Sequence, residues 1–216
     1  MPKNLFSKEE LNRIEKAVRE AEAASGGEIV PVFARQSSFY EMALWRGGCM
    51  LSILVSIVLL AVNEMTDALL FLPPYVWVMI VFTSGVIGAA IVMQFPALKR
   101  WIIGKKIMKA RVEDQAQNMF YQHNISFTDQ RSGILLYISF FEKMAVILPD
   151  IGIAEVVPEE AWEKVIGDLT AHLRRGHTIE GITSAIQACG LLLDNSHIQI
   201  ADDDSNELSD EVRFNE

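Results

Sequence analysis

Cysteine is scarce: Cys49 and Cys189 are the only two in 216 residues, too few for a disulfide framework. Cys49 falls in a long apolar run and Cys189 on the apolar face of a helical repeat, so a bridge between them is not expected. Two lone thiols suit a reducing compartment. Base is also in the minority, with 19 Lys and Arg against 28 Asp and Glu and a net charge of −9. Nothing in that balance supports nucleic-acid binding. The N-terminus MPKNLFSKEELNRIEK has no apolar core, so it does not read as a cleavable signal peptide. Nucleophile-elbow, P-loop and dinucleotide fingerprints are missing. The histidines His123, His172, His177 and His197 show no HxxxH or HxH spacing, and so offer neither a zinc-type ligand set nor an obvious general base.

Two stretches lack charge altogether. One is GGCMLSILVSIVLLAV, residues 47–62, and the other is YVWVMIVFTSGVIGAAIVMQF, residues 75–95. A helix of roughly 20 apolar residues crosses about 30 Å of hydrocarbon. The second stretch meets that outright, and Ala43, Leu44 and Trp45 extend the first, with Arg46 snorkelling to the interface. Trp45, Tyr75, Trp77 and Trp101 fall near the ends, where an aromatic belt sits. A chain this small could not bury two helices that are apolar all round. The reading is a transmembrane hairpin.

The flanks orient it. The connection NEMTDALLFLPP carries Glu64 and Asp67 and no base, whereas Lys99, Arg100, Lys105, Lys106, Lys109 and Arg111 follow the second stretch before the first acid, Glu113. Arg35 and Arg46 precede the first stretch. The positive-inside rule places the short loop outside and both termini inside. Arg46, Lys99, Arg100, Lys105 and Lys106 then serve as membrane anchors facing anionic headgroups. The expected location is a bacterial plasma (inner) membrane, multi-pass, with the polar parts cytoplasmic.

Those polar parts read as pieces of one α/β domain. Ser7 to Glu10 forms a capping box, with Phe6 and Leu11 as its hydrophobic staple. Leu11, Ile14, Ala17, Val18 and Ala21 recur at helical spacing until Ser25-Gly26-Gly27. EIVPVFA, residues 28–34, is a short strand, and Pro31 puts it at or near an edge. Residues 105–123 look helical and read as a possible continuation of the second membrane helix. GILLYISF, residues 133–140, is apolar enough for a strand covered on both faces. MAVILP, residues 144–149, returns beside it after a polar Glu142-Lys143 turn. Pro158 opens a helix with acid in its first turn and Arg174 and Arg175 in its last, closed by Gly176. Thr178 caps a last helix whose inner face is Ile179, Ile182, Ala185, Ile186, Cys189 and Leu193. A small mixed sheet sandwiched between helices follows, interrupted by the hairpin. The expected division is 1–40, first part of the domain; 41–98, hairpin, with spans near 44–62 and 75–95; 99–196, remainder; 197–216, tail. From Asp202 onward that tail holds seven acids against Arg213, which is −6 of the total charge, and it reads as disordered.

With those segments in place the chain resembles the TPM domain family, an α/β domain shared by plant thylakoid proteins, a worm protein and many bacterial membrane proteins. The resemblance is carried by SGGEIVPVFA at residues 25–34, by RSGILLYISFFEKMAVILPDIGIAEVVPEEAWEKVI at residues 131–166, and by RGHTIEGITSAIQACGLLL at residues 175–193. More narrowly it is similar to the bacterial branch in which two transmembrane helices separate the first strand from the rest. The resemblance implies an α/β/α sandwich. It also implies that a divalent cation, Ca²⁺ or Mg²⁺, or weak hydrolysis of phosphate monoesters, is worth seeking. Oxygen ligands for such a cation would be Asp150, Glu142, Asp129 and Glu155, with Glu28 a further possibility. Asp150 alone maps clearly, as the acid in the turn after the second strand. No Lys or Arg pairs clearly with these acids in sequence to hold a phosphate.

The preferred expectation is a membrane-anchored interaction or assembly module without robust catalysis. The competing one is a cation-binding module or metal-dependent phosphatase. Ser84, Gly85, Gly88, Ala89 and Ala90 offer a small-residue face for helix association, so self-association or other membrane proteins are the expected partners, besides the bilayer itself.

Overall fold

A computed structural model describes residues 6–25, 27–66, 73–128, 131–195 and 212–215. Asp67, Asp129, His197 and most of the acidic tail lie outside the described residues. The chain divides into two units, residues 1–37 with 109–216, and residues 38–108.

The first unit is built on a four-stranded sheet in the order β3-β2-β1-β4. Here β1 is Glu28–Ala34, β2 Gly133–Ser139, β3 Met144–Pro149 and β4 Arg213–Asn215. β1 runs parallel to both β2 and β4, while β2 and β3 form an antiparallel hairpin. Helix α1, Lys8–Glu22, starts at the capping box: Ser7 Oγ accepts from the Glu10 N–H and the Glu10 carboxylate accepts from the Ser7 N–H. Helices α7, Glu159–Arg175, and α8, Thr178–Asn195, follow a short turn of helix α6, Ile151–Ala154. Pro158 takes the cap position of α7 rather than its first turn, and Gly176 at φ 86° ends it.

Strand alternation sorts the core into two. Ile29, Phe33, Ile134, Leu136, Ile138, Ala145 and Ile147 pack under α1, α7 and α8. Val30, Val32, Ala34, Leu135 and Tyr137 pack under Val112, Ala116, Met119 and Phe120 of helix α5, Lys105–Gln122. The sheet therefore has helices on both faces, as the near-continuous apolar character of β2 requires. All six residues assigned to the inner face of α8 are buried.

The edge of β1 answers the question raised by Pro31. The Glu28 N–H bonds the Ser132 carbonyl on the β2 side, so the N–H groups of residues 29, 31 and 33 face the other way. The Ile29 N–H is taken by the Glu22 carboxylate at 2.8 Å, Pro31 has none to satisfy, and β4 begins opposite Val32. β1 is thus second from the edge. Arg213–Asn215, expected to be part of a disordered tail, form that edge strand, and Phe214 packs on Phe33 with ring centroids 6.1 Å apart.

The second unit holds α2, Glu41–Thr66, and α3, Pro74–Gln94, which pack on each other, followed by α4, Pro96–Ile103. Two breaks separate α3 from α5, so α5 does not continue the second apolar helix. Pro96 lacks the N–H and keeps Phe95 out of helical geometry, and Gly104 at φ 82° ends α4.

Candidate functional site

Asp150 lies where β3 ends. Its N–H donates to the Gly133 carbonyl at 2.8 Å, and its Oδ1 accepts from the Ile151 N–H at 2.8 Å, capping α6. The carboxylate, 4% exposed, also meets Arg131: Nε is 2.8 Å from Oδ2 and Nη2 is 3.0 Å from Oδ1. Nη2 donates a charge-assisted hydrogen bond to Oδ1, while the Nε–Oδ2 approach is an ion-pair contact that leaves Oδ2 without a hydrogen bond. Arg131 was not among the residues singled out from sequence. It lies 19 positions away, beyond a strand and a hairpin, and only folding of the sheet brings it to Asp150.

Glu142 occupies the opposite end of the same hairpin. Ser139 pairs with Met144 at that end and Ile134 with Pro149 at the other, so about five residues, roughly 17 Å, separate the two acids along the strands. Glu142 is buried. Its Oε1 accepts from the Ser37 N–H at 2.9 Å and its Oε2 from the Ser139 hydroxyl, while the hydroxyls of Ser37 and Tyr137 are 3.0 Å apart. These groups close the carboxyl ends of β1 and β2, the end of a parallel pair at which α/β proteins commonly bind ligands. Here Ser139 and Tyr137 are fully buried, and the cluster joins the chain after β1 to the β2–β3 turn.

The sheet therefore separates the acids expected to share a cation. Glu142 is at one end and Asp150 at the other, Glu155 is exposed, and Asp129 lies outside the described residues. Glu28 starts β1 opposite Gly133, on the same end as Asp150 but about 10 Å away across β2. Among the described residues no three of His, Cys, Asp and Glu come together as a metal-holding group.

The other reactive side chains are committed to packing or solvent. Burial pushes the Cys189 thiol up to about 12, which leaves it protonated and unreactive. His172 Nδ1 lies 2.9 Å from the Asp168 carbonyl. Partial burial, and secondarily the Arg213 charge, lower the pKa of His123. A groove of about 420 Å³ runs between α7 and α8, apolar at Val165, Leu169 and Leu192, with Lys164, Asp168 and His172 on one wall.

In the second unit, α2 and α3 are long and apolar enough to cross a membrane, and most of their side chains face outward. Ile53, Leu54, Ile57, Val78, Met79 and Phe82 are all more than half exposed. What the two helices bury is small. A Cβ placed on Gly48 would come within 2.8 Å of the Gly85 carbonyl oxygen, and one on Gly88 within 2.7 Å of the Gly47 oxygen. Ser52 Oγ donates across to the Val81 carbonyl at 3.1 Å. Part of the small-residue face anticipated for association is thus used inside the hairpin: Gly85 and Gly88 of α3 meet Gly47, Gly48 and Ser52 of α2, and Ser84 is buried.

Comparison with known proteins agrees with this architecture. The profile of the TPM domain family matches residues 101–191, from within α4 to within α8. The solution structure of the BA42 protein from the psychrophilic bacterium Bizionia argentinensis superposes with a TM-score of 0.60. It is 18% identical, and the superposition covers 97% of this chain and 95% of that one. At that identity the likeness speaks to the fold. No curated protein matches the chain. Residues 101–191 are thus similar to the TPM domain, and two helices long and apolar enough to cross a membrane precede that stretch in sequence.

Proposed function

We propose that this protein holds its TPM domain at the cytoplasmic face of a bacterial plasma membrane, with both chain ends on that side. There it works as an interaction or assembly module rather than as a catalyst. The observation that carries the reading is the outward-facing apolar surface of α2 and α3, which water would not tolerate and a bilayer would cover. Its orientation rests on charge: Glu64 and no base before residue 67 at the far end, against Lys99, Arg100, Lys105 and Lys106 at the near end.

The non-catalytic part of the reading rests on how the acids are used. Asp150 caps α6 and pairs with Arg131, and Glu142 ties the chain after β1 to the β2–β3 turn. Both carboxylates have structural work, Asp150 through Oδ1 and its ion pair with Arg131, and Glu142 through both oxygens. The partner is another membrane protein or a second copy of this chain.

Affinity purification of the full chain from native membranes, followed by crosslinking in nanodiscs, tests the assembly role. A stoichiometric partner or a defined oligomer is the expected result. A monomer that co-purifies with nothing and is monodisperse in several detergents contradicts it. Calorimetry of the full chain with Ca²⁺, Mg²⁺ and Mn²⁺, together with p-nitrophenyl phosphate turnover, tests the competing reading. Heat or turnover that disappears in Asp150→Ala would favour a cation-dependent phosphatase.

A further inference from the structure

We infer that α4 is an interfacial helix that seats the chain on anionic phospholipid headgroups, with Trp101 in the headgroup layer and Lys99, Arg100, Lys105 and Lys106 around it. This rests on the membrane reading above and adds to it a lipid class and the residues that select it.

The chain does not run straight out of α3. Phe95, at φ −111° and ψ 94°, breaks the helix before Pro96, and Gly104 at φ 82° breaks it again after Ile103. Between the breaks lie eight residues, about 12 Å of helix, set off from the span. A helix destined to leave the bilayer directly needs neither break. One that must turn along the surface needs the first, and a second to depart from it.

α4 contacts both α2 and α3, and the Lys99 ammonium donates to the Phe39 carbonyl at 3.1 Å, so it lies beside the entrance of the first span as well as the exit of the second. Its side chains divide by size and character. Ile103 is buried, whereas Trp101 is 70% exposed, and Phe39, Trp45 and Phe95 are exposed with it. Four large exposed aromatics, two of them Trp, all at one end of a hairpin, match the layer where ring systems partition between hydrocarbon and water.

Charge then selects the lipid. From Pro96 to Met108 there are four bases, Lys99, Arg100, Lys105 and Lys106, and no acid. A phosphatidylglycerol surface offers net negative charge to that run and a phosphatidylcholine surface does not. Trp101 explains depth and the bases explain preference, and all five lie between the end of α3 and the first turn of α5.

The test uses the full chain in nanodiscs of phosphatidylcholine, alone or mixed with phosphatidylglycerol, with either lipid brominated near the glycerol. The difference in fluorescence quenching between the full chain and Trp101→Phe isolates the share due to Trp101. Brominated phosphatidylglycerol is expected to quench Trp101 at least about twofold more than brominated phosphatidylcholine at equal fraction. The preference should vanish when Lys99, Arg100, Lys105 and Lys106 are all changed to Gln. It should also vanish for the unaltered chain in high salt, which keeps the test valid should the quadruple variant fold poorly. Equal quenching by the two lipids, or no quenching of Trp101 in a chain that has inserted, overturns this inference and leaves the membrane reading standing. A chain that fails to enter either nanodisc overturns both.

Discussion

The guanidinium of Arg131 meets the carboxylate of Asp150 at two points, with Nε 2.8 Å from Oδ2 and Nη2 3.0 Å from Oδ1. The two residues are unequal partners: the Asp150 side chain is 4% exposed and that of Arg131 is 50% exposed. Removing Arg131 therefore leaves a nearly buried carboxylate with its cap to Ile151 alone. Breaking a fully buried pair is costly, and the solvent on the Arg131 side reduces the loss, so Arg131→Ala should destabilise the domain by about 1–3 kcal/mol. Arg131→Lys should recover less than half of that, because an ammonium cannot make the two-point contact. Thermal unfolding of the full chain in nanodiscs checks both. An Arg131→Ala protein as stable as the parent would mean that Asp150 is held by its cap alone.

Glu142 should behave as a structural strut. Its carboxylate accepts from the Ser37 N–H and the Ser139 hydroxyl, so Glu142→Ala strands both donors in a buried place and should cost about 2–4 kcal/mol. Glu142→Gln keeps an acceptor for one of them and should cost less. Neither change should alter calorimetric heats with Ca²⁺ or Mg²⁺, and a cation heat that falls with Glu142→Gln would return Glu142 to the ligand set.

The hairpin depends on two bare backbones. Gly88→Val places its Cβ 2.7 Å from the Gly47 oxygen and should force α2 and α3 apart by an ångström or more, on the order of the overlap. Ala90, one face away and exposed, tolerates the same replacement. Spin-label distances between the two helices should lengthen in Gly88→Val and stay unchanged in Ala90→Val. Unchanged distances with a lost oligomer would instead assign Gly88 to contacts between copies.

Acid should loosen the edge strand. His123 has a pKa below the ordinary imidazole value because it is partly buried, with the Arg213 charge a smaller cause. The folded state therefore holds this ring neutral more firmly than the unfolded chain does. Its contribution is fully present above the unfolded value of about 6.5, and is lost as pH falls from there through the lowered folded value. Arg213 also donates to the His123 carbonyl at 3.3 Å, so protonation puts two like charges at the root of β4. Amide exchange at Phe214 should accelerate, relative to that of β2, as pH falls below about 6.5. His123→Asn should flatten that difference, and an equal response in β2 would point to global unfolding.

What could be read in the sequence was what short-range chemistry decides. The Ser7–Glu10 box, the bounds of β1 and β3, the buried stripe from Ile179 to Leu193 and the two uncharged runs all follow from spacing within one element. Four things were not readable, each for a physical reason. The Arg131–Asp150 pair is a meeting across the β2–β3 hairpin, and no local pattern announces it. β4 is three residues inside an acidic stretch, below the length at which alternation shows, and only Phe214 hinted at a buried side. The small residues of α3 signalled close helix contact, but a sequence does not say whether the partner is α2 of the same chain or a helix of another. The apolar and basic residues around Pro96 and Gly104 favour helix on either side, which is why residues 105–123 read as a possible continuation of the second span. The separation of α3, α4 and α5 emerges only from the backbone.

Cysteine accessibility in intact bacterial cells reads out whether the domain lies at the proposed cytoplasmic face of a membrane. In a chain lacking Cys49, a membrane-impermeant maleimide should label Glu64→Cys in intact cells and Glu159→Cys only after the membrane is opened. Buried Cys189 should stay silent in both. Labelling of Glu159→Cys in intact cells, or release of the protein by an alkaline wash, would rule that placement out.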